Sequence, residues 1–185
     1  MIRTGPEFLT YIEVLRHKYP QYFIIEKYGS NEVILSQQKR YHSLYCIKTG
    51  ITKCYLSDEN GKEFIQEFLG EGVNFGELEF FSGHLSFCSI KTITNVEVYK
   101  ISYQYYDFLL ENDAVFNRLV LKSMALKIGF KAPRHSFQHS YSIEENIIRL
   151  QKIAPNYAKI FSKNDIANYL GVTLRSLNRA LLLLK

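Results

Sequence analysis

Cysteine is scarce in this chain, and its spacing does not suit a metal site. The three cysteines among 185 residues, Cys46, Cys54 and Cys88, form no C-x-x-C pair. An iron–sulfur cluster or structural zinc site needs several thiolates at short spacing, so neither is expected, and no cofactor is expected. The thiols read as buried strand residues, with redox sensing by one of them as the lesser alternative. Long apolar runs are also missing. No stretch approaches the roughly 20 residues that span a bilayer. The N-terminal MIRTGPEFLTYIEVL lacks the apolar core of a signal peptide. A cytoplasmic location with no membrane partner is the expectation. No Ser/His/Asp, Cys/His or paired-carboxylate motif appears either, which argues against an enzyme.

Charge is present but unevenly spread. Residues 1–111 hold 11 Lys and Arg against 14 Asp and Glu, a net of −3. Residues 112–185 hold 12 against 4, a net of +8. A basic C-terminal part suits a phosphate-rich partner, double-stranded DNA above all. A basic solvated surface without a partner is the plainer alternative.

That basic part ends in FSKNDIANYLGVTLRSLNRALLLLK, residues 161–185. Ser162 is a good N-cap, and Asp165 sits in the first turn, where the helix dipole favours a carboxylate. Ile166, Ala167 and Leu170 recur at helical spacing. Gly171 suits a left-handed C-terminal position, and Thr173 caps a second helix. There Leu174, Leu177 and Leu181 form the apolar stripe, and Arg175, Asn178 and Arg179 share another face. Two helices, a glycine turn and a cationic helix tip make a helix-turn-helix. Arginine can bond guanine, and asparagine adenine, bidentately in the major groove. The expected DNA-binding set is Lys163, Thr173, Leu174, Arg175, Asn178 and Arg179, with Lys163 and Thr173 on phosphates.

Earlier in the chain, residues 6–19 read as an amphipathic helix lined by Phe8, Tyr11, Ile12 and Leu15, ended by Pro20. From Tyr22 to about Ile101 short β-type runs follow one another. Asp58-Glu59-Asn60-Gly61 is a hairpin signal. In KEFIQEFLG, alternation points Phe64, Gln66 and Phe68 one way and Ile65, Glu67 and Leu69 the other. Asn74 to Gly83 interrupts the strands with a short helical turn opened by Gly76 and Glu77. Residues 103–131 form the longest helical pattern. Within it Phe116, Leu119, Val120, Ser123, Leu126 and Phe130 recur at three- and four-residue spacing, which suits a dimer seam or ordinary packing on the β domain. Gly129 and Pro133 predict an end or bend near 129–133. Residues 132–141 read as a hinge from which Arg134, His135 and His139 could reach phosphate or solvent. Ser142 and Glu145 form a capping box for the next helix, ended by Pro155.

The order of parts resembles the Crp/Fnr family of transcription regulators, nearest to YeiL-type members. Three features carry the resemblance: Thr49-Gly50 followed by Asn60-Gly61, the Phe75-Gly76-Glu77-Leu78 cassette, and the Phe161–Leu181 motif. It implies an α+β fold: an N-terminal cyclic-nucleotide-binding-type β-roll, jelly-roll-like, then a long dimerisation helix and a C-terminal winged helix-turn-helix. The boundaries are 1–111, 112–131, a hinge at 132–141, and 142–185. It implies a homodimer on a pseudo-palindromic site and RNA polymerase as a further partner; the cassette residues Gly76, Glu77, Leu78 and Ser86 form a vestigial or collapsed pocket or, as the alternative, hold a small-molecule effector. Cyclic-AMP-binding members carry an arginine in the cassette. This chain has His84-Leu85-Ser86-Phe87-Cys88-Ser89 there, so tight cyclic-AMP binding is not expected. His84 would have to be protonated to substitute. Cyclic-AMP-type members also place a glutamate where Arg175 stands, which implies a different operator. A wing should follow the recognition helix, and residues 181–184 are four consecutive leucines, so a longer natural C-terminus is expected. The rival reading is an effector-binding or protein-interaction module whose helix-turn-helix has lost DNA binding.

Overall fold

The structure, a computed structural model, describes residues 2–184 and, within them, every side chain except those of residues 135–139. Short alternating runs punctuated by turns form two sheets. After β1 (Ile2–Arg3) and α1 (Pro6–Lys18) come β2 (Ile24–Tyr28), β3 (Val33–Leu35), β4 (Ser43–Thr49) and β5 (Thr52–Ser57). Then follow β6 (Glu63–Leu69), β7 (Asn74–Phe75), the short helix α2 (Glu77–Ser82), β8 (Ser89–Thr92) and β9 (Val96–Ser102). One sheet has the order β1-β6-β5-β8-β3 and the other β2-β9-β4-β7. All pairings are antiparallel except β1 with β6. The hairpin between β5 and β6 is closed by the Asp58 carboxylate, which accepts from the Asn60 and Lys62 backbone N–H groups at 2.9 Å. Gly61 has the positive φ, 75°, that this turn requires.

Alternation sorts the side chains into three apolar clusters. Ile47, Val98, Cys54, Leu69 and Ile90 meet between the sheets. On the outer face of the four-stranded sheet, Leu44, Cys46, Tyr99 and Ile101 pack against α1, α3 (Tyr103–Asn112) and α4 (Ala114–Ser140). On the outer face of the five-stranded sheet, Tyr55, Ile65 and Phe68 join the C-terminal helices. These are α5 (Ile143–Ile153), the single turn α6 (Tyr157–Ile160), α7 (Lys163–Leu170) and α8 (Leu174–Leu183).

Two expectations are corrected. Simple alternation in β6 fails, because Ile65 and Phe68 share the outer cluster while Leu69 faces inward. The register explains it: Cys54 pairs with Glu67 and Tyr55 with Ile65, so Gln66 is an extra, bulged residue. A bulge shifts the face of every residue beyond it by one. The expected hinge at 132–141 is instead part of α4, a 27-residue helix that runs through Pro133. Downstream, Arg134 donates to the Ile65 and Tyr169 carbonyls at 2.7 and 2.6 Å and to the Gln66 carbonyl. Bonds of this charge-assisted kind contribute about 1.5–3 kcal/mol each. Together they offset the cost of about 3 kcal/mol for an interior proline.

Gly76 opens α2 at φ 98°, and a Cβ there would lie 2.8 Å from the Ser43 carbonyl oxygen. Gly83 closes it at φ 67° with nothing within 4 Å. Gly76→Ala is expected to cost about 1–3 kcal/mol of stability in urea unfolding, and Gly83→Ala less, since only the first adds a clash to the dihedral strain.

Candidate nucleic-acid interface and effector pocket

Local chemistry builds the helix pair at the C-terminus. The Ser162 hydroxyl accepts from the Asp165 N–H at 3.0 Å, and Thr173 from the Ser176 N–H at 3.1 Å. Gly171 adopts the left-handed conformation at φ 72° between them. Leu177 and Ala180 turn α8 inward. Arg175 and Arg179 are exposed on the opposite side, Asn178 is half-buried between the two faces, and Lys163 and Thr173 are exposed at the helix starts. Leu174 is 40% exposed at the tip of α8, outside the apolar stripe assigned to it. Among the described residues neither Arg175 nor Arg179 pairs with a carboxylate. A cationic, unpaired helix tip can approach phosphates and base edges.

The helix pair is docked on the β-roll through named contacts. Phe68 lies 3.9 Å from Phe161 and 5.2 Å from Tyr169, ring centre to ring centre. Lys53 bridges Glu63 at 2.6 Å and Asp165 of α7 at 2.9 Å. Burial lowers the Lys53 pKa, but these two carboxylates outweigh it and hold it above the usual range. Arg134 stacks 3.9 Å over the Tyr169 ring while its guanidinium holds carbonyls of β6 and α7. Arg134 therefore faces inward and is committed to the fold rather than to phosphate. His135 and His139, named with it, lie outside the described side chains.

The cassette forms a pocket, and the chain fills most of it. Glu77 is 2% exposed and ion-pairs with Lys127 of α4. Lys127 also donates to the Asn74 carbonyl at 2.7 Å. Burial lowers the Lys127 pKa, and Glu77 opposes the shift. Arg3 pairs with buried Glu67 at 2.8 Å on the adjoining wall. Ser86 is buried, but its hydroxyl is spent on the Cys88 carbonyl at 2.8 Å. Leu78 is about half exposed at the rim, and His84 and His42 are exposed. The remaining cavity is ≈ 50 Å³. That is room for a few waters, at about 10–15 Å³ each on this measure. Pockets for drug-sized ligands run to about 300–1,000 Å³.

The expected dimer seam is also redistributed. Phe116, Leu119, Val120 and Ser123 are buried within their own chain, and the Ser123 hydroxyl donates to Asn74 Oδ1 at 2.5 Å. A helix lying on a sheet buries its most apolar stripe in the nearest core first. Phe130 is half-buried and Leu126 is exposed. The outward face of α4 carries Leu121, Ala125, Ile128 and Ala132, all exposed. Lys127 was missed from the sequence, and Arg134 was assigned to phosphate or solvent, because both are charged residues on the inward stripe, at the same spacing as Phe116, Val120 and Ser123.

Two sheets with a glycine-opened cassette, a long helix across them and a C-terminal helix-turn-helix define a cyclic-nucleotide-binding-type domain followed by a helical domain. Residues 25–113 match the cyclic nucleotide-binding domain family. The chain shares the fold of solved regulators of the Crp/Fnr family. The cAMP-activated global transcriptional regulator CRP of Salmonella typhimurium is 33% identical over 97 residues, 51% of this chain and 46% of that protein. CRP of Pasteurella multocida is 32% identical over 88 residues, 47% of this chain and 42% of that protein. The chain thus spans a little under half the length of these relatives. Among solved structures, the c-di-GMP-responsive global regulator CLP of Xanthomonas campestris superposes with TM-score 0.80 at 14% identity, covering 93% of this chain and 91% of that one. FixK2 of Bradyrhizobium japonicum gives TM-score 0.76 at 21% identity, covering 88% and 84%. At such identities these two speak for the fold.

Breaking a buried ion pair from one side leaves an uncompensated charge, at a cost of about 3–5 kcal/mol. Lys127→Met is expected to lose that much in urea unfolding. Glu77→Gln combined with Lys127→Met should recover most of it.

Proposed function

We propose that this protein is a DNA-binding transcription regulator of the Crp/Fnr type that acts as a homodimer and does not depend on cyclic AMP. The observation that carries the reading is the tip of α8. Arg175 and Arg179 are exposed and, among the described residues, unpaired on a helix whose other face is sealed by Leu177 and Ala180. The net charge of +8 over residues 112–185 supports a polyanionic partner. Arg175, Asn178 and Arg179 read bases, and Lys163 and Thr173 contact phosphates. A symmetric dimer sets two such helices about 34 Å apart, one turn of the duplex, which calls for a pseudo-palindromic site.

The outward face of α4 supports the dimer. Leu121, Ala125, Ile128 and Ala132 follow the 4-3-4 spacing of a coiled-coil seam. Gly129 beside them has open space, so two backbones can approach closely. Cyclic-AMP independence is supported by the small cavity, by Lys127 seated on Glu77, and by the missing cassette arginine.

Arg179→Ala should cost about 1–3 kcal/mol of specific affinity and relax one operator position in a competition shift assay against random DNA. Equal weakening on all sequences would remove the base-reading role. Lys163→Ala should lower the salt slope of binding by about one. Ile128→Glu is expected to give monomers by sedimentation while leaving the fold intact by circular dichroism. Calorimetric titration with cyclic AMP should show no micromolar binding.

A further inference from the structure

Two of the three cysteines, 34 positions apart, meet in the wall beneath the cassette. Cys54 lies on β5, and Cys88 immediately precedes β8. The two strands pair antiparallel, with Cys54 opposite Ile90 and Tyr55 opposite Ser89. The two Sγ atoms are 2.9 Å apart, and both thiols are free. That separation is within about 1 Å of the disulfide bond length of about 2.05 Å. Cys54 is buried, whereas Cys88 is only partly covered. Both line the cavity beside Glu67, Glu77 and Lys127. Cys46 is different: it is fully buried in the cluster under α1, where burial pushes its thiol up.

We propose that Cys54 and Cys88 are a reversible dithiol–disulfide site, oxidised by hydroperoxides and restored by small-molecule thiols. The more accessible Cys88 reacts first, since oxidation follows exposure. Its thiolate attacks a peroxide oxygen; the S–O bond forms, the O–O bond breaks, and hydroxide leaves. Cys54 sulfur then attacks the Cys88 sulfenic acid; the S–S bond forms, the S–O bond breaks, and water leaves with the Cys54 proton. With hydrogen peroxide, two thiols and one peroxide give one disulfide and two waters. The two sulfurs together lose two electrons, and the peroxide gains them.

The surroundings set the pH response. The hydrogen bond that the Cys88 thiol makes to Cys54 sulfur, then burial, hold that thiol above its ordinary range; Glu79 of α2 adds to this and Lys131 of α4 opposes it. Glu67 of β6, Glu77 of α2 and Lys127 of α4 face the same cavity. Only a small thiolate fraction exists at neutral pH, so the rate should rise about tenfold per pH unit.

The test is hydrogen peroxide treatment of the reduced, native full chain, followed by blocking of free thiols and peptide mapping. A Cys54–Cys88 linked peptide is expected, reversed by dithiothreitol, with Cys46 still alkylatable after unfolding. Cys54→Ser and Cys88→Ser should each abolish the link, and Cys46→Ser should leave it. Sulfinic acid at Cys88 without a link, a link formed only in denaturant, or a rate independent of pH would overturn the proposal. The wild-type map decides even where a variant fails to fold.

Discussion

The architecture depends on two cations that α4 directs into the protein. Lys127 is pressed onto Glu77 and the Asn74 carbonyl, and Arg134 holds carbonyls of β6 and α7 while stacking on Tyr169. The first joins the long helix to the cassette, and the second joins it to both the sheet and the helix-turn-helix. Burying a charge is costly unless it is paired and hydrogen-bonded, so each cation demands its partners in place. That demand makes the position of α4 a joint property of the pocket and the C-terminal helices. A change at either end has a physical route to the other through one rigid element.

The pocket illustrates how a shared fold can keep its shape while its contents change. The cassette glycine is used as its geometry requires, at a φ that side chains avoid and a distance from Ser43 that excludes a Cβ. Glu77 is buried, and its partner Lys127 comes from α4. Ser86 stays buried, but its hydroxyl serves the backbone. The cations that a phosphate would need are present in the wall, as Arg3 and Lys127, and both are engaged by carboxylates of the same chain. The wall's cations are thus paired within the protein, whereas Glu67 Oε1, Glu77 Oε2 and Asn74 Nδ2 in the same wall are buried without a hydrogen-bond partner.

Much of the fold was legible, and for one reason: the signals are local. Ser162, Thr173 and the Ser142–Glu145 box act on N–H groups three residues away. Asp58 closes its own turn. The helix-turn-helix follows from glycine, caps and a stripe within 25 residues. The failures share the opposite cause. The bulge at Gln66 depends on the register with β5. Pro133 passes through α4 because Arg134 finds carbonyls about 70 and 35 positions away. A stripe of Phe116, Val120 and Ser123 is apolar for the same reason whether a partner or its own sheet covers it, and it does not record which surface does.

By itself, the sequence determined the elements, their order and the chemistry displayed at the tip of α8. Those depend on dihedral preferences, capping and periodicity, which act within a few residues. Only the tertiary structure decided which face of α4 is left outside, that the pocket is closed by Lys127, and that Cys54 meets Cys88. Each is a coincidence of groups brought together from distant parts of the chain. Such meetings arise from the packing of whole sheets and helices, and no short-range preference encodes them.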